Sequence, residues 1–303
     1  MELKSFDSIL ERVPKLESLM RVVVAGADSE NILKGVFAAQ KHGFAEAILV
    51  GDREKTVELL KAIGLAAESY TMIVNPDGAD VTQTAIDLIN SGGGDVLMRG
   101  NTQTREFLMP ILSKKNGLRT DKLMSHVSFA SFPDYPKLIA LSDMTVMIHP
   151  DLNQKRAIIK NTVNTLKAFG YERPRVALLS LVEKTSFDIQ DSVDAFQLAS
   201  EHKTNPIADC ELVGPISYDL IISKEAARLK KFDCRYCGDF DAIIAPNLMA
   251  GNILVKSWQM HAGAVTCGAV VGGKVPIALT SRSSDEKETF MSLAFCASML
   301  NTD

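Results

Sequence analysis

Cysteine is scarce in this sequence: five among 303 residues, an odd number at scattered spacing. That excludes a disulfide framework and suits a reducing cytosol. Cys234 and Cys237 form one CxxC, but Cys210 and Cys267 do not supply the second pair that a zinc ribbon needs, so plain thiols are expected. Long apolar runs are missing too. The longest stretch without a charge, Ser257 to Gly273, contains Gln259, His261 and four glycines, and is too polar for a membrane span. Met1 to Asp7 carries charges where the apolar core of an export signal would begin, so no such signal is expected. Positive charge is not in excess: 33 Lys+Arg stand against 37 Asp+Glu, a net charge of −4. This excludes a general binder of nucleic acid, although a local cluster of donors can still hold an anionic small molecule. There is no internal repeat and no low-complexity linker.

What is present is an ordinary globular composition, 46% apolar and 23% charged, in a chain long enough for two closely joined domains. Short apolar runs alternate with helical segments. Arg21–Gly26, Ala47–Gly51, Met72–Val74 and Val96–Met98 are apolar almost throughout, as expected for strands covered on both faces. Ser29–His42 and Glu54–Ile63 read as helices, with Ser29 placed to cap the first and Gly43 and Gly64 to end the two. Such strand–helix units predict a parallel sheet between helical layers. In a second series, Met124–Ala130 and Lys137–Thr145 flank Phe132-Pro133-Asp134-Tyr135-Pro136, a turn too short for a crossover, so that pair is expected to be antiparallel. A helix over Asp151–Phe169 follows, then strands at Arg175–Ser180, Asp209–Val213, Ala242–Ala245, Ala264–Val271 and Pro276–Thr280. A closing helix over Ser284–Leu300 is capped by Ser283 or Ser284. The class is α/β: two three-layer α/β/α domains with mainly parallel sheets, and ligands where strand ends meet helix N-termini.

The sharpest chemical signal is Pro276-Ile277-Ala278-Leu279-Thr280-Ser281-Arg282-Ser283-Ser284-Asp285, an apolar strand running into hydroxyls, a guanidinium and a carboxylate just before a helix. A helix N-terminus suits an anion, Arg282 can hold a phosphate with two hydrogen bonds, and Ser281 can donate to developing negative charge. Asp285 and Glu288, three apart on one helical face, are candidate bases; the serines and acids would equally serve as helix caps. Arg99-Gly100-Asn101-Thr102 follows a strand and opens a helix, where either a ligand or a plain polar loop fits. Gly92-Gly93-Gly94 precedes its strand and reads as a helix-to-strand turn, not a phosphate loop. Gly214-Pro215 with Asp219, Gly251-Asn252 with Lys256, and the isolated His126 and His149 are weaker signals, each with a structural explanation.

In order along the chain, these segments resemble the phosphate acyltransferases, phosphate butyryltransferases more than phosphate acetyltransferases. The resemblance runs from about Ala25 to Met299. It rests on Leu97-Met98-Arg99-Gly100, Gly117-Leu118-Arg119, Ser125-His126-Val127, Pro174–Ser180 with Glu183, Gly214-Pro215 with Asp219, Gly238-Asp239-Phe240-Asp241, Pro246, Gly251-Asn252 with Lys256, and Thr280-Ser281-Arg282.

The resemblance implies reversible transfer of a short-chain acyl group between coenzyme A and inorganic phosphate. CoA and phosphate are then substrates, with no permanently bound cofactor, no metal, and neither nucleic acid nor membrane as partner. It further implies a homodimer or higher homo-oligomer with a fold similar to the isocitrate and isopropylmalate dehydrogenases, and the cysteine usage places it in the cytoplasm. The first domain would comprise residues 1–121 plus 275–303, the second 122–274, with a cleft between them. By the same carry-over Ser281 stabilises developing charge, Arg282 grips phosphate, and Glu288 or Asp285 is the base. Arg99, Gly100, Asn101, Ser283, Ser284 and Asn252 contact substrate.

The sequence departs from the family pattern at Met147, which replaces an asparagine, at Arg99, usually lysine in butyryltransferases, at Ser284, usually aspartate, and at Met109, where acetyltransferases have arginine. Two other classes compete: a CoA-binding protein that has lost catalysis, and an NAD-dependent hydroxy-acid dehydrogenase. The second needs a cluster of metal-binding carboxylates, and no convincing set is present: Asp239 and Asp241 are two, without partners in view.

Overall fold

The computed structural model describes residues 3–13, 18–65, 70, 72–74, 76, 80–115, 117–133, 135–281 and 284–300. The chain forms two compact units, one of Asp7–Met124 with Cys267–Asp303, the other of Met1–Phe6 with Ser125–Thr266. These limits lie three and eight residues from those expected at 121/122 and 274/275, and the first six residues go with the later segment.

The first unit begins with a short helix, α1 (Asp7–Leu10), and then alternates β1 (Met20–Ala25), α2 (Glu30–Lys41), β2 (Ala45–Val50), α3 (Arg53–Ala62), β3 (Met72–Val74), α4 (Val81–Asn90), β4 (Val96–Arg99) and α5 (Thr104–Leu112). β1, β2 and β4 are buried on both faces, which is why their sequences show apolar runs and no alternation. Ser29 takes the N-cap position of α2 but makes no capping hydrogen bond, whereas Asp52 and Asp80 accept from Lys55 N and Gln83 N at the starts of α3 and α4. The triple glycine occupies the turn between α4 and β4, as expected.

The second unit contains β5 (Ser125–Ser131), β6 (Ile139–Ser142), α6 (Leu152–Ala168), β7 (Arg175–Leu179), α7 (Gln190–Thr204), β8 (Glu211–Ile216), α8 (Tyr218–Ile222), α9 (Lys224–Lys230), β9 (Ala242–Ile244) and α10 (Leu248–His261). Its strands run in the order β5-β6-β9-β7-β8. β5 and β6 are antiparallel, as their short turn requires, and the remaining pairs are parallel. Asp134 of that turn lies outside the described residues.

β6 stops at Ser142, short of the expected Thr145. The buried Asp143 carboxylate gathers the N–H groups of Thr145 (2.8 Å), Val146 (3.1 Å) and Met147 (3.1 Å), so a side chain replaces the strand ladder. β8 starts later than expected and extends through Pro215, which an edge strand tolerates. At the N-terminal ends of β6, β7 and β9, buried Lys137 reaches Asp241 (2.5 Å) and Asp239 (3.1 Å), and Arg175 pairs with both aspartates.

The chain completes the first unit with β10 (Val265–Val271), which enters it at Cys267, then β11 (Ile277–Ala278) and α11 (Glu286–Met299). Its strand order is β3-β2-β1-β4-β11-β10, parallel throughout except for the antiparallel β10–β11 contact. β11 is shorter than the expected Pro276–Thr280, because only Ile277 and Ala278 find ladder partners, at Leu97 and Met98. α11 packs closely on α2: a Cβ on Gly35 would lie 2.5 Å from Thr289, so only glycine permits this approach. Among the described residues, no helix is long and apolar enough to cross a membrane.

Candidate active site

In the first unit β1, β4 and β11 are neighbours and parallel, so their C-terminal ends lie side by side. The backbones of β1 and β4 meet as they leave the sheet. Gly100 N donates to Ala25 O and Asn101 N to Gly26 O, each at 2.9 Å. Asn101 is exposed and, with Gly26, Asp28, Asp52, Lys55 and Thr102, lines an open depression of about 590 Å³.

Arg99, at the end of β4, is only 4% exposed. Its Nη1 donates to Thr104 Oγ1 (2.6 Å) and its Nη2 to the carbonyl oxygen of Thr280. The guanidinium therefore joins the exits of β4 and β11 to the first turn of α5. Ser281, the next residue after Thr280, is half-buried. Arg282 and Ser283 lie outside the described residues. Ser284 N donates to Ser281 O (3.0 Å) across the turn, and Ser284 O accepts from Asn31 Nδ2 (3.2 Å) at the start of α2. The hydroxyls of Thr280 and Ser284 are both buried and have no hydrogen-bond partner among the described residues. Asn31 and Thr104 carry no chemical signature in the sequence. Only their neighbours in space bring them to this turn.

The N-cap of α11 is Asp285, not Ser283 or Ser284. Its carboxylate accepts from Glu288 N at 2.8 Å, because Ser284 is drawn back into the turn with Ser281. Glu288 is partly buried in the first helical turn, and its charge adds to the burial that raises the Cys267 thiol pKa well above normal. Burial likewise raises the thiols of Cys210 and Cys237 to about 12 and that of Cys296 further, so none of these four is a ready thiolate nucleophile at neutral pH.

Asn252, the remaining expected contact, is exposed on α10 of the second unit, with Nδ2 3.4 Å from Met144 O. In the same unit His126 is buried with Nδ1 3.4 Å from Met144 Sδ. Burial raises the Asp143 carboxyl to about 6, outweighing the N–H groups that favour its charged form. Asp219 and Glu183 share the Ser217 hydroxyl and the Lys230 ammonium. The Ser217 hydrogen bond chiefly lowers the first carboxyl, and the Lys230 bond the second. Asp239 and Asp241, the pair a dehydrogenase metal would need, are engaged by Lys137 and Arg175, and no group of three or more candidate ligands occurs among the described residues.

Residues 78–297, a span that includes every candidate from Arg99 to Glu288, match the family described as phosphate acetyl/butaryl transferase. The chain belongs to this family. A relative from Clostridium acetobutylicum, phosphate butyryltransferase, is 32% identical over 97% of this chain and 98% of its own length. Among solved structures, a branched-chain phosphotransacylase from Enterococcus faecalis V583 superposes with a TM-score of 0.82 at 29% identity, covering 93% of this chain and 99% of the other. The family fold reaches further. A 4-hydroxythreonine-4-phosphate dehydrogenase from Klebsiella pneumoniae aligns over 94% of this chain and 100% of its own at a TM-score of 0.56 and 12% identity, which shows kinship of fold alone.

Proposed function

We propose that the turn from Thr280 to Glu288 is where this acyltransferase handles phosphate and the reacting carbonyl. The enzyme moves an acyl group reversibly between coenzyme A and inorganic phosphate: acyl-CoA + phosphate ⇌ acyl phosphate + CoA. A phosphate oxygen attacks the thioester carbonyl, an oxyanion forms, and the intermediate collapses with loss of the CoA thiolate. In reverse, the CoA thiol, with an ordinary pKa of about 8.5, must lose its proton to attack the acyl phosphate.

Ser281 donates its hydroxyl proton to the oxyanion, and Arg282 holds phosphate through its planar fork. The N-terminus of the 14-residue α11 adds N–H groups and the positive end of its dipole. Glu288 takes the thiol proton. The Asp285 carboxylate is occupied in capping the helix, which favours Glu288 over Asp285 as base. The observation that carries this reading is the place of Ser281, half-buried just past the C-terminal end of β11 and four residues before the N-cap of α11, where unpaired helix N–H groups suit an anion. The acyl group is short, butyryl or a similar chain. The same reading gives a homodimer working in the cytoplasm, where thiols stay reduced, without a bound metal or cofactor.

The test is thiol release from butyryl-CoA with and without phosphate, in the wild type and in Arg282→Ala. Release should require phosphate but neither NAD nor metal, and the variant should lose a factor on the order of 10² or more in turnover. Strict dependence on NAD and metal, tight CoA binding without turnover, or unchanged kinetics in folded Arg282→Ala would each overturn the reading.

A further inference from the structure

We infer that Arg99 is a positioning residue that fixes the Ser281 turn through the Thr280 carbonyl, and not a ligand of phosphate. The inference rests on the reading of Ser281 as the oxyanion donor.

The strand ladder explains why such a residue is needed. β4 pairs with β11 at only two positions, Leu97↔Ile277 and Met98↔Ala278. Beyond Met98 the backbone of β4 turns to its other neighbour: Gly100 N bonds Ala25 O and Asn101 N bonds Gly26 O. These two N–H groups are therefore not available to β11, whose exit runs on through Leu279 and Thr280 to Ser281 past the end of the ladder. The Arg99 side chain bridges this gap, with Nη2 on Thr280 O.

The bridge is anchored at both ends. Arg99 is 4% exposed, and its second terminal nitrogen holds Thr104 Oγ1 at 2.6 Å in the first turn of α5. Its backbone cannot slide either, because the following residue, Gly100, lies so close to β1 that a Cβ there would be 1.9 Å from Gly26 O. A guanidinium committed to a carbonyl on one side and a hydroxyl on the other is suited to aligning a neighbouring backbone. A phosphate ligand would instead turn its fork toward solvent. One ångström of misplacement at a reacting group costs a factor on the order of 10².

The experiment is a double-mutant cycle of Arg99→Met with Ser281→Ala, reading kcat and the KM for phosphate. Arg99→Met should lower kcat by a factor on the order of 10² while leaving the phosphate KM within about threefold. In the Ser281→Ala background the same change should cost less than about threefold, because the group it positions is gone. Arg99→Lys, which can reach Thr280 O but lacks the fork, should restore part of the kcat. A loss of folded enzyme alone would act equally in both backgrounds, so additive losses overturn the inference, as does a phosphate KM that rises with kcat unchanged. If Ser281→Ala alone keeps the wild-type kcat, the Ser281 reading itself fails, a result distinct from additivity. Should Arg99→Met not fold, Thr104→Val removes one anchor, and its smaller kcat loss must again vanish with Ser281→Ala; additivity there also overturns the inference.

Discussion

Replacing Gly100 with alanine puts a methyl group into the exit of β1. The new Cβ would stand 1.9 Å from Gly26 O, 2.6 Å from Gly26 C and 2.8 Å from Ala25 O. All three are backbone atoms, so no side chain can rotate away. To reach even the 3.0 Å floor for such contacts, the two strand ends must part by about 1.1 Å. The two hydrogen bonds that hold them, both 2.9 Å, then stretch to about 4 Å and are lost. Each buried amide or carbonyl left without a partner costs about 1–3 kcal/mol, and the overpacking adds about 1–3 kcal/mol. Allowing for relaxation, a destabilisation of about 3–6 kcal/mol is expected, a large part of the ~5–15 kcal/mol that holds a domain together. Urea unfolding followed by far-UV circular dichroism is the assay. With a slope of about 2 kcal/mol per molar, the midpoint should fall by about 1.5–3 M. Turnover should drop as well, since Arg99 moves with Gly100. A midpoint within about 0.3 M of wild type would show that the β1–β4 junction yields freely and would refute the close-approach argument.

Three further outcomes are expected. Asp285→Ala removes the cap of α11 and should cost about 1 kcal/mol, a fall in Tm of about 2–4 °C, whereas Asp285→Asn, also a good cap, should cost little; equal losses in a calorimeter would count against the cap. Lys137→Met strips a buried cation from Asp239 and Asp241 and should destabilise by about 3–5 kcal/mol, read as a lower urea midpoint; a neutral result would mean that Arg175 alone satisfies both acids. Burial raises the Asp143 carboxyl from 3.8 to about 6, so between these values the folded state binds the proton more tightly than the unfolded chain does. Stability should therefore fall as pH rises from about 4 to about 6, by about 3 kcal/mol from this group, and Asp143→Asn should remove that slope; identical slopes in the two proteins would contradict it.

Local elements are written in short stretches of the chain. β1, β2 and β4 were legible because strands covered on both faces must be apolar throughout, and the β5–β6 pair because a five-residue turn rich in proline allows no crossover. The contiguous run from Thr280 to Glu288 is legible as a candidate site because a hydroxyl, a guanidinium and a carboxylate follow one another at a strand-to-helix junction. Along the same run, the cap went to Asp285 although Ser283 or Ser284 was expected, since cap choice depends on how the preceding turn is held.

The remaining features depend on contacts between distant segments. Nothing local shortens β11 to two residues; the ladder partners set its length. Nothing local brings Arg99 to Thr280, 181 positions away, or Lys137 to Asp241, 104 positions away. Periodicity and capping are written within a few residues of chain. Which buried charge meets which carbonyl is fixed by strand order and register, and these are properties of the packed sheet.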